Sequence, residues 1–449
     1  MRDILFDKHS ICSLAHLGRG VIPDQHQMNA VVIRNSHLPS FEARYCFTSN
    51  ADIIDKQINE SSDTLEEQYI LPRPKSFPCD NSRNVCNSLA KMSNVPTKPL
   101  SYWASEGLQN AFSLGQPFKS SVATLPAGKN IDRDKYVRQW WELNHHDLNS
   151  EQGNWKPIIS GGEYRRWYGN INGYVNTKEP EIGQLNQQLE SKVNSWTALA
   201  PTFNAREVPS DAIYDASGPC FAPSENITDE QTRLFQLGLL NSSMFNRLVK
   251  TVYPEGVLGS IRPNDLAVLP IVDDEKAAIA DTVEQLVECS KEDWHSVETS
   301  IAFGSHPIML EHLKASSTSI ADDFLTIESN THQFVNYITS LEQSLNEHVD
   351  ESYQIDANER VVISKSDLSF YKNPYFTIGT NLDESEPDAY KAKVLNTFRS
   401  DTVVSLISYI VGCIMGRFSY TGDGVVFANQ DVSQFKSVLN KGMYSPSLK

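Results

Sequence analysis

Between Leu125 and Asn176 seven cations, Lys129, Arg133, Lys135, Arg138, Lys156, Arg165 and Arg166, are interleaved with Tyr136, Trp140, Trp141, Trp155, Tyr164, Trp167, Tyr168 and Tyr174. Arginine forks and lysine ammoniums hold phosphates or read guanine edges, and flat rings pack against sugar or an unstacked base. The combination suits a polyanion that carries bases. The residues it nominates for contact with double-stranded DNA are Lys129, Arg133, Lys156, Arg165, Arg166, Trp167, Tyr168 and Asn170. The same composition also describes a folded unit whose tryptophans are core and whose charges solvate the surface, and both readings stand at this point.

Other chemistry is thinly represented. The sequence has no G-x-x-x-x-G-K-S/T, no G-x-G-x-x-G after a strand, no H-E-x-x-H and no G-x-S-x-G. His145 and His146 are adjacent, so on helix or strand they point different ways and make poor joint ligands. The seven cysteines are scattered without a C-x-x-C pair, which argues against a zinc site or a disulfide framework, and no metal is expected. Asn373-Pro374-Tyr375-Phe376 is close to the Asn-Pro-Pro-Tyr/Phe loop that grips a flipped adenine, but it lacks the second proline and reads as a proline turn. No catalytic residue is nominated, and whether the chain is an enzyme by itself stays open.

The elements that must position the basic, aromatic stretch are mixed. Ile11 to Leu17 and Ala30 to Arg34 are β-type runs at the end of a sheet (1–50), and residues 51–98 are polar and punctuated like a linker. Residues 99–272 give an α+β unit, with short strand-like pieces at Lys156 to Ser160, Tyr174 to Asn176, Thr202 to Ala205 and Ala212 to Tyr214. A helix pattern over Asp229 to Val252 has a break at Asn241. In 273–360 the apolar positions Ile320, Phe324, Ile327, Thr331, Phe334, Ile338, Leu341, Leu345 and His348 alternate by four and three, which suits a coiled-coil-like arm or a long helix packed on a core. Residues 361–449 read as a helical C-terminal region. Its longest apolar run, Val403 to Gly416, has 14 residues where a membrane span needs about 20. A buried helix in a cytoplasmic protein without membrane contact is expected.

Charge limits the partners only until it is located. The net charge of −17 would repel DNA, but the 88 residues from Asp273 to Arg360 carry −15 of it, with 19 acidic against 4 basic side chains. Because screening acts over about 8 to 10 Å, the nearly neutral remainder can still present a basic face.

Lys156-Pro157 to Gly161-Gly162-Glu163-Tyr164-Arg165-Arg166-Trp167-Tyr168-Gly169-Asn170 closely resembles the K-W-x-P-x-x-x-G-G-E-F-R-K-W-Y-G-N segment of the PglX family. These are adenine-specific DNA methyltransferases of bacterial BREX phage-exclusion systems. Further matches follow in order: Phe203-x-Ala205-Arg206, Ile213-Tyr214-Asp215-Ala216-Ser217-Gly218, Gly238-Leu239-Leu240-Asn241-Ser242, Ser290-Lys291-Glu292-Asp293-Trp294, His306-Pro307, and Ile407-Ser408-Tyr409 through Gly416-Arg417. Ser13-x-x-His16-Leu17-Gly18-Arg19-Gly20 and Val32-Ile33-Arg34-Asn35 look like closing strands of the methyltransferase domain.

The resemblance implies the middle and C-terminal region of that family, namely the end of a methyltransferase sheet, an α+β target-recognition domain and a helical spacer. The S-adenosylmethionine strand and the Asn-Pro-Pro-Tyr loop are expected before the matching region, so no cofactor site is expected in this chain. Methyl transfer would then need a separate methyltransferase half, and other phage-defence subunits are possible partners. The alternative is a non-catalytic scaffold or decoy that docks such subunits through the acidic arm.

Overall fold

The computed structural model describes residues 2–18, 28–47, 84–143, 148, 153–171, 173–185, 188–198, 203–253, 261–315, 319–379, 387–418, 433 and 436. The chain is α+β and forms two compact units, each assembled from separated stretches: 1–121, 243–274 and 350–360 in unit 1, and 122–242, 275–349 and 361–449 in unit 2.

In unit 1, β1 (Ser10–Gly18), β2 (Met28–Arg34), β3 (Glu42–Phe47) and β4 (Asn84–Ser88) form a sheet of order β2-β1-β3-β4. β1 is antiparallel to β2 and parallel to β3, and β3 is antiparallel to β4. Side chains alternate across a strand. Ala43 and Tyr45 on β3 therefore share one buried face with Ile11 and Leu14 of β1, covered by Phe6 of helix α1 (Arg2–Lys8) and by Leu89, Met92 and Tyr102. The Tyr45 and Tyr102 rings stack at 4.7 Å. β4 lies inside the stretch expected as a linker, while 51–83 fall outside the described residues. β2 is an edge strand that leaves Val31, Val32 and Ile33 exposed by 44, 58 and 48%. A second, minimal pairing joins β5 (Gln116–Pro117) to β15 (Pro270–Ile271).

Unit 2 is built on two small sheets. One has the order β13-β8-β10-β7, from Ile213–Tyr214, Trp155–Ile159, Tyr174–Asn176 and Val137–Arg138. The other has the order β6-β14-β11-β12-β9, from Val122–Thr124, Cys220–Pro223, Val193–Trp196, Ala205–Val208 and Trp167–Tyr168. Neighbouring apolar pairs such as Ile158-Ile159 and Ile213-Tyr214 arise because the first sheet is buried on both faces. Ile158 and Ile213 enter one core with Val175, and Ile159 and Tyr214 enter another with Val208.

Helix α2 (Glu230–Asn241) begins where the Asp229 carboxylate accepts the Thr232 N–H, and it ends as expected at Asn241, with Ser242 extended. The Asn241 side-chain amide bonds both the N–H and the C=O of Ala205 on β12, which fixes that end. α2 packs on α3 (Lys276–Trp294) so closely that a Cβ on Gly238 would lie 2.5 Å from Val283. α4 (Pro307–Ala315) follows, then α5 (Ile320–Ser352), a single helix of 33 residues. Tyr337 bonds Gln285 and His348 pairs with Glu275, so α5 runs antiparallel to α3.

The four-three spacing on α5 is real, and Phe324, Thr331, Ile338 and Leu345 are buried as expected. The alternate positions move by one residue, to Val335, Glu342 and Val349, while Phe334 and Leu341 are half-buried and Ile320 is exposed. α5 packs on a core that includes strand and loop residues, which is the second of the two expected arrangements.

Helix α6 (Pro387–Ile414) corrects another expectation. Only Val394, Leu406, Tyr409 and Gly412 are buried on it. Tyr409 packs on Phe303 and Phe418, and Leu406 on Ile308 and Phe324. The opposite side, Val403, Val404, Ile407, Ile410, Val411 and Ile414, is exposed by 40 to 63%, so the apolar run is not a buried helix. The helix meets the length and composition needed to cross a membrane, and 22% of its most apolar window is buried.

The units also cut across the expected segments 99–272 and 273–360. The physical reason is that carboxylates on α3 and α5 are ion-paired with cations of the strand-rich part.

Candidate nucleic-acid interface

The segment from Gly161 to Asn170 is a loop whose shape is set by its small residues and amides. Gly162 has φ +90 and Gly169 φ +128, and a Cβ at Gly169 would lie 2.5 Å from the Arg165 Nε and 2.6 Å from Trp294. The Asn170 side-chain N–H2 spans the loop, donating to Gly161 O and Glu163 O at 3.2 and 2.8 Å. Trp167 and Asn170 themselves have φ +71 and +56, a region costly for residues with a Cβ, so surrounding contacts must hold them.

Those contacts are buried ion pairs. The Arg165 Nη2 donates to Asp293 Oδ2 at 2.9 Å, with the two side chains exposed by 4 and 0%. The Arg165 guanidinium also lies over the rings of Trp294 and Tyr371. Asp293 accepts the backbone N–H of Tyr371 and of Lys372 as well, so its carboxylate is well satisfied. Arg166 pairs with Glu342 at 2.9 Å and donates to Asp367 O, and the Trp167 indole N–H donates to the other Glu342 oxygen at 2.8 Å. Trp167 is fully buried.

Four of the eight nominated residues are therefore reassigned. Arg165, Arg166, Trp167 and Asn170 are enclosed by protein, and their cations neutralise carboxylates that would otherwise be buried unpaired. They cannot face a duplex in this arrangement. Their partners Asp293 and Glu342 were not nominated. The available signal was an acid within the apolar period of α5, at Glu342 between Ile338 and Leu345.

The remaining four are accessible to different extents. Lys129 and Arg133 are exposed, and Arg133 donates to the Ser160 hydroxyl at 2.7 Å, at the end of β8. Lys156 on β8 bonds Asp211 at 2.9 Å with 17% of its side chain exposed. Tyr168 is half-buried. By register Tyr174 on β10 faces Arg138 on β7 and Pro157 on β8, whereas Lys156 lies opposite Val175, itself opposite Val137, so the sheet presents Arg138 and Lys156 on opposite faces. Arg133 meets the end of β8 at Ser160, while Arg165 and Arg166 belong to the support of the strands.

Beneath the Ser160–Gly161 peptide lies Arg206, fully buried, donating to Ser160 O, Gly161 O and Thr197 Oγ1. Burial pushes its pKa down to about 10. Its carbonyl bonds fix the strand end that presents Ser160 to Arg133.

The adenine-loop lookalike is a turn, as the missing second proline suggested. Asn373 is fully buried; its Oδ1 accepts the Tyr375 N–H and its Nδ2 donates to Lys365 O and Leu368 O. With both ends of that amide committed, the motif does not fit an adenine or its methyl donor. Among the described residues no group of three His, Cys, Asp or Glu side chains could hold a metal ion.

No protein-family model matches the sequence. The adenine-specific methyltransferase BrxX of Escherichia coli O9:H4 (strain HS) is 25% identical over 462 residues, covering 99% of this chain and 35% of BrxX. The adenine-specific methyltransferase PglX of Lacticaseibacillus casei (strain Zhang) is 24% identical over 470 residues, covering 96% of this chain and 35% of PglX. Among solved structures, the type IIL restriction-modification enzyme MmeI in complex with DNA aligns with 83% of this chain and 46% of its own at 10% identity and a TM-score of 0.39. The chain spans about a third of the length of the curated relatives it matches, and over nearly all of its own length it is a PglX/BrxX-like sequence.

Proposed function

We propose that this chain is the DNA target-recognition portion of a BREX-type, site-specific adenine-N6 methyltransferase that acts in phage defence in the bacterial cytoplasm. The observation that carries the reading is the similarity to adenine-specific methyltransferases along 96 to 99% of the chain. The S-adenosylmethionine and the catalytic loop would come from a separate methyltransferase half. The residues for the duplex are Lys129, Arg133 and Lys156, which offer cations from one sheet and its adjoining loop, with Tyr168 at the side. Phosphate contacts of this kind position a protein and make binding depend on salt.

The test is the triple variant Lys129→Ala, Arg133→Ala, Lys156→Ala. Its slope of log affinity against log salt should fall by up to about 0.9 for each phosphate that is no longer neutralised, and its stability should change little through the exposed Lys129 and Arg133, the larger share of any loss coming from Lys156, 17% exposed beside Asp211. A parent chain whose DNA binding has no salt dependence sinks the reading. The exposed apolar side of α6 favours a second reading, a scaffold that docks other defence subunits. Such a protein would capture a partner with no DNA present and be insensitive to the triple variant.

A further inference from the structure

Beside the motif loop, unit 2 contains a cavity of about 150 Å³ lined by Tyr168, Tyr174, Trp294, His295, Ile171 and Ile301. Pro157, Pro209 and Ser300 complete the lining, so four of its nine residues carry flat rings, and a space of about this size has room for one benzene-sized molecule. His295 meets Tyr168 edge-on, with centroids 5.8 Å apart, and its Nδ1 bonds the Ser300 hydroxyl at 2.9 Å. Ser300 lines the cavity too, and no carboxylate does. Burial, together with Lys291 and Arg165, lowers the His295 pKa, so the ring is neutral at neutral pH and offers one polar edge in an otherwise apolar space.

A second observation points to the same place. Trp167, Gly169 and Asn170, three of the four residues from Trp167 to Asn170, have positive φ, and Tyr168 is the one between them that supplies a cavity wall. Left-handed backbone at residues with a Cβ costs of order 1 to 3 kcal/mol each and persists where the surroundings over-determine it. Here Glu342 holds Trp167 and the Asn170 amide spans the loop. The strained loop thus delivers an aromatic wall.

We propose that this cavity binds a single six-membered nitrogen heteroaromatic ring, a pyrimidine base turned out of a duplex, an inference that rests on the DNA-recognition reading above. The base packs against the Tyr168, Tyr174 and Trp294 rings, and its ring N–H or carbonyl meets the His295 and Ser300 edge. Of the bases, a single-ring pyrimidine is the nearer match to a space of about 150 Å³. Lys291, with Nζ 5.6 Å from the Tyr168 ring centroid and paired with Glu207 and Glu288, is the cation beside the cavity that the backbone of an extruded nucleotide would meet.

The test uses the full chain with isotope-labelled isoleucine methyl groups, titrated with thymidine, deoxycytidine, deoxyguanosine and cyclohexanol. Saturable shifts at Ile171 and Ile301 with the pyrimidine nucleosides, at least about tenfold weaker for the other two, are expected. Ile171→Trp should fill the cavity and abolish them. His295→Phe keeps a ring but removes the polar edge, and it serves if the first variant does not fold; it should weaken binding by about tenfold, one hydrogen bond's worth. A duplex with a bulged thymine should bind more tightly than its paired counterpart, and either variant should erase that preference. Absence of saturable shifts, equal shifts with cyclohexanol, or unaltered binding in both variants overturns the site. Salt-dependent duplex binding without nucleoside binding refutes the cavity alone, whereas nucleoside binding without duplex binding refutes the recognition reading and leaves the cavity.

Discussion

Arg165→Ala separates a supporting role from a DNA-facing one more cleanly than any other change. The guanidinium is 4% exposed, and its removal leaves the Asp293 carboxylate, 0% exposed, with only the Tyr371 and Lys372 N–H donors. Removing one partner of a buried pair costs about 3 to 5 kcal/mol, and giving up the stacking on Trp294 and Tyr371 adds about 0.5 to 2 kcal/mol. Against a typical domain stability of about 5 to 15 kcal/mol this is a severe loss. Urea unfolding followed by tryptophan fluorescence reads unit 2 directly, since Trp167, Trp196 and Trp294 are all buried there. The variant should unfold at a much lower urea concentration, while its salt slope for DNA, measured where it is still folded, should match the parent. Combining Arg165→Met with Asp293→Leu removes both charges and should recover part of the loss. An unchanged unfolding midpoint with a flattened salt slope would refute the reasoning and return Arg165 to the interface.

Leu345→Ala should cost about 2 to 5 kcal/mol as a core truncation beside Gly238, and Leu341→Ala clearly less, in the same urea assay; comparable costs would restore the register read from sequence, in which both line the seam. Gly169→Ala should destabilise the motif loop at a φ of +128 with a Cβ only 2.5 Å from Arg165, read as a lower unfolding temperature. His306 accepts the Ile308 N–H on Nδ1 and faces Ser405, whose hydroxyl donates to Thr402 O, so the neutral ring carries its proton on Nε2. Burial pushes its pKa down from 6.5 to about 4. The unfolded chain therefore binds the extra proton first, and the stability from this residue, present above pH 6.5, is lost as pH falls toward 4, by at most about 3 kcal/mol. His306→Gln should flatten that part of the pH–stability curve, and an unaltered curve would show that the ring titrates normally.

Local periodicity was legible in the sequence where burial follows it. The end of α2 at Asn241, where its apolar pattern breaks, is present in the fold. On α5 the positions of Phe324, Thr331, Ile338 and Leu345 hold, but the alternate ones shift by one residue, because Glu342 occupies a core position that hydrophobicity cannot nominate, and only its pairing with Arg166 and Trp167 permits it. The basic, aromatic stretch was ambiguous for a similar reason. Arg165 finds Asp293 at a separation of 128 residues, and a cation paired in the core has the same letter as one waiting for phosphate. α6 failed in the opposite sense: Val403 to Gly416 reads as core by composition, yet composition does not say whether another element arrives to cover it.

The interleaved layout of the two units has a consequence for synthesis. Unit 1 takes its first stretch from 1–121 and its last from 350–360, so β2 emerges about 320 residues before the last stretch of its unit. At about 5 to 20 residues per second a ribosome leaves that gap open for roughly 15 to 65 seconds. Through that interval Val31, Val32 and Ile33 stand on an edge strand that remains exposed in the finished fold. Such an edge is a template for intermolecular pairing. Nascent-chain engagement by a holdase should therefore extend from the emergence of β2 to that of residue 360, and accelerated elongation should raise the soluble yield more than slower growth temperature does.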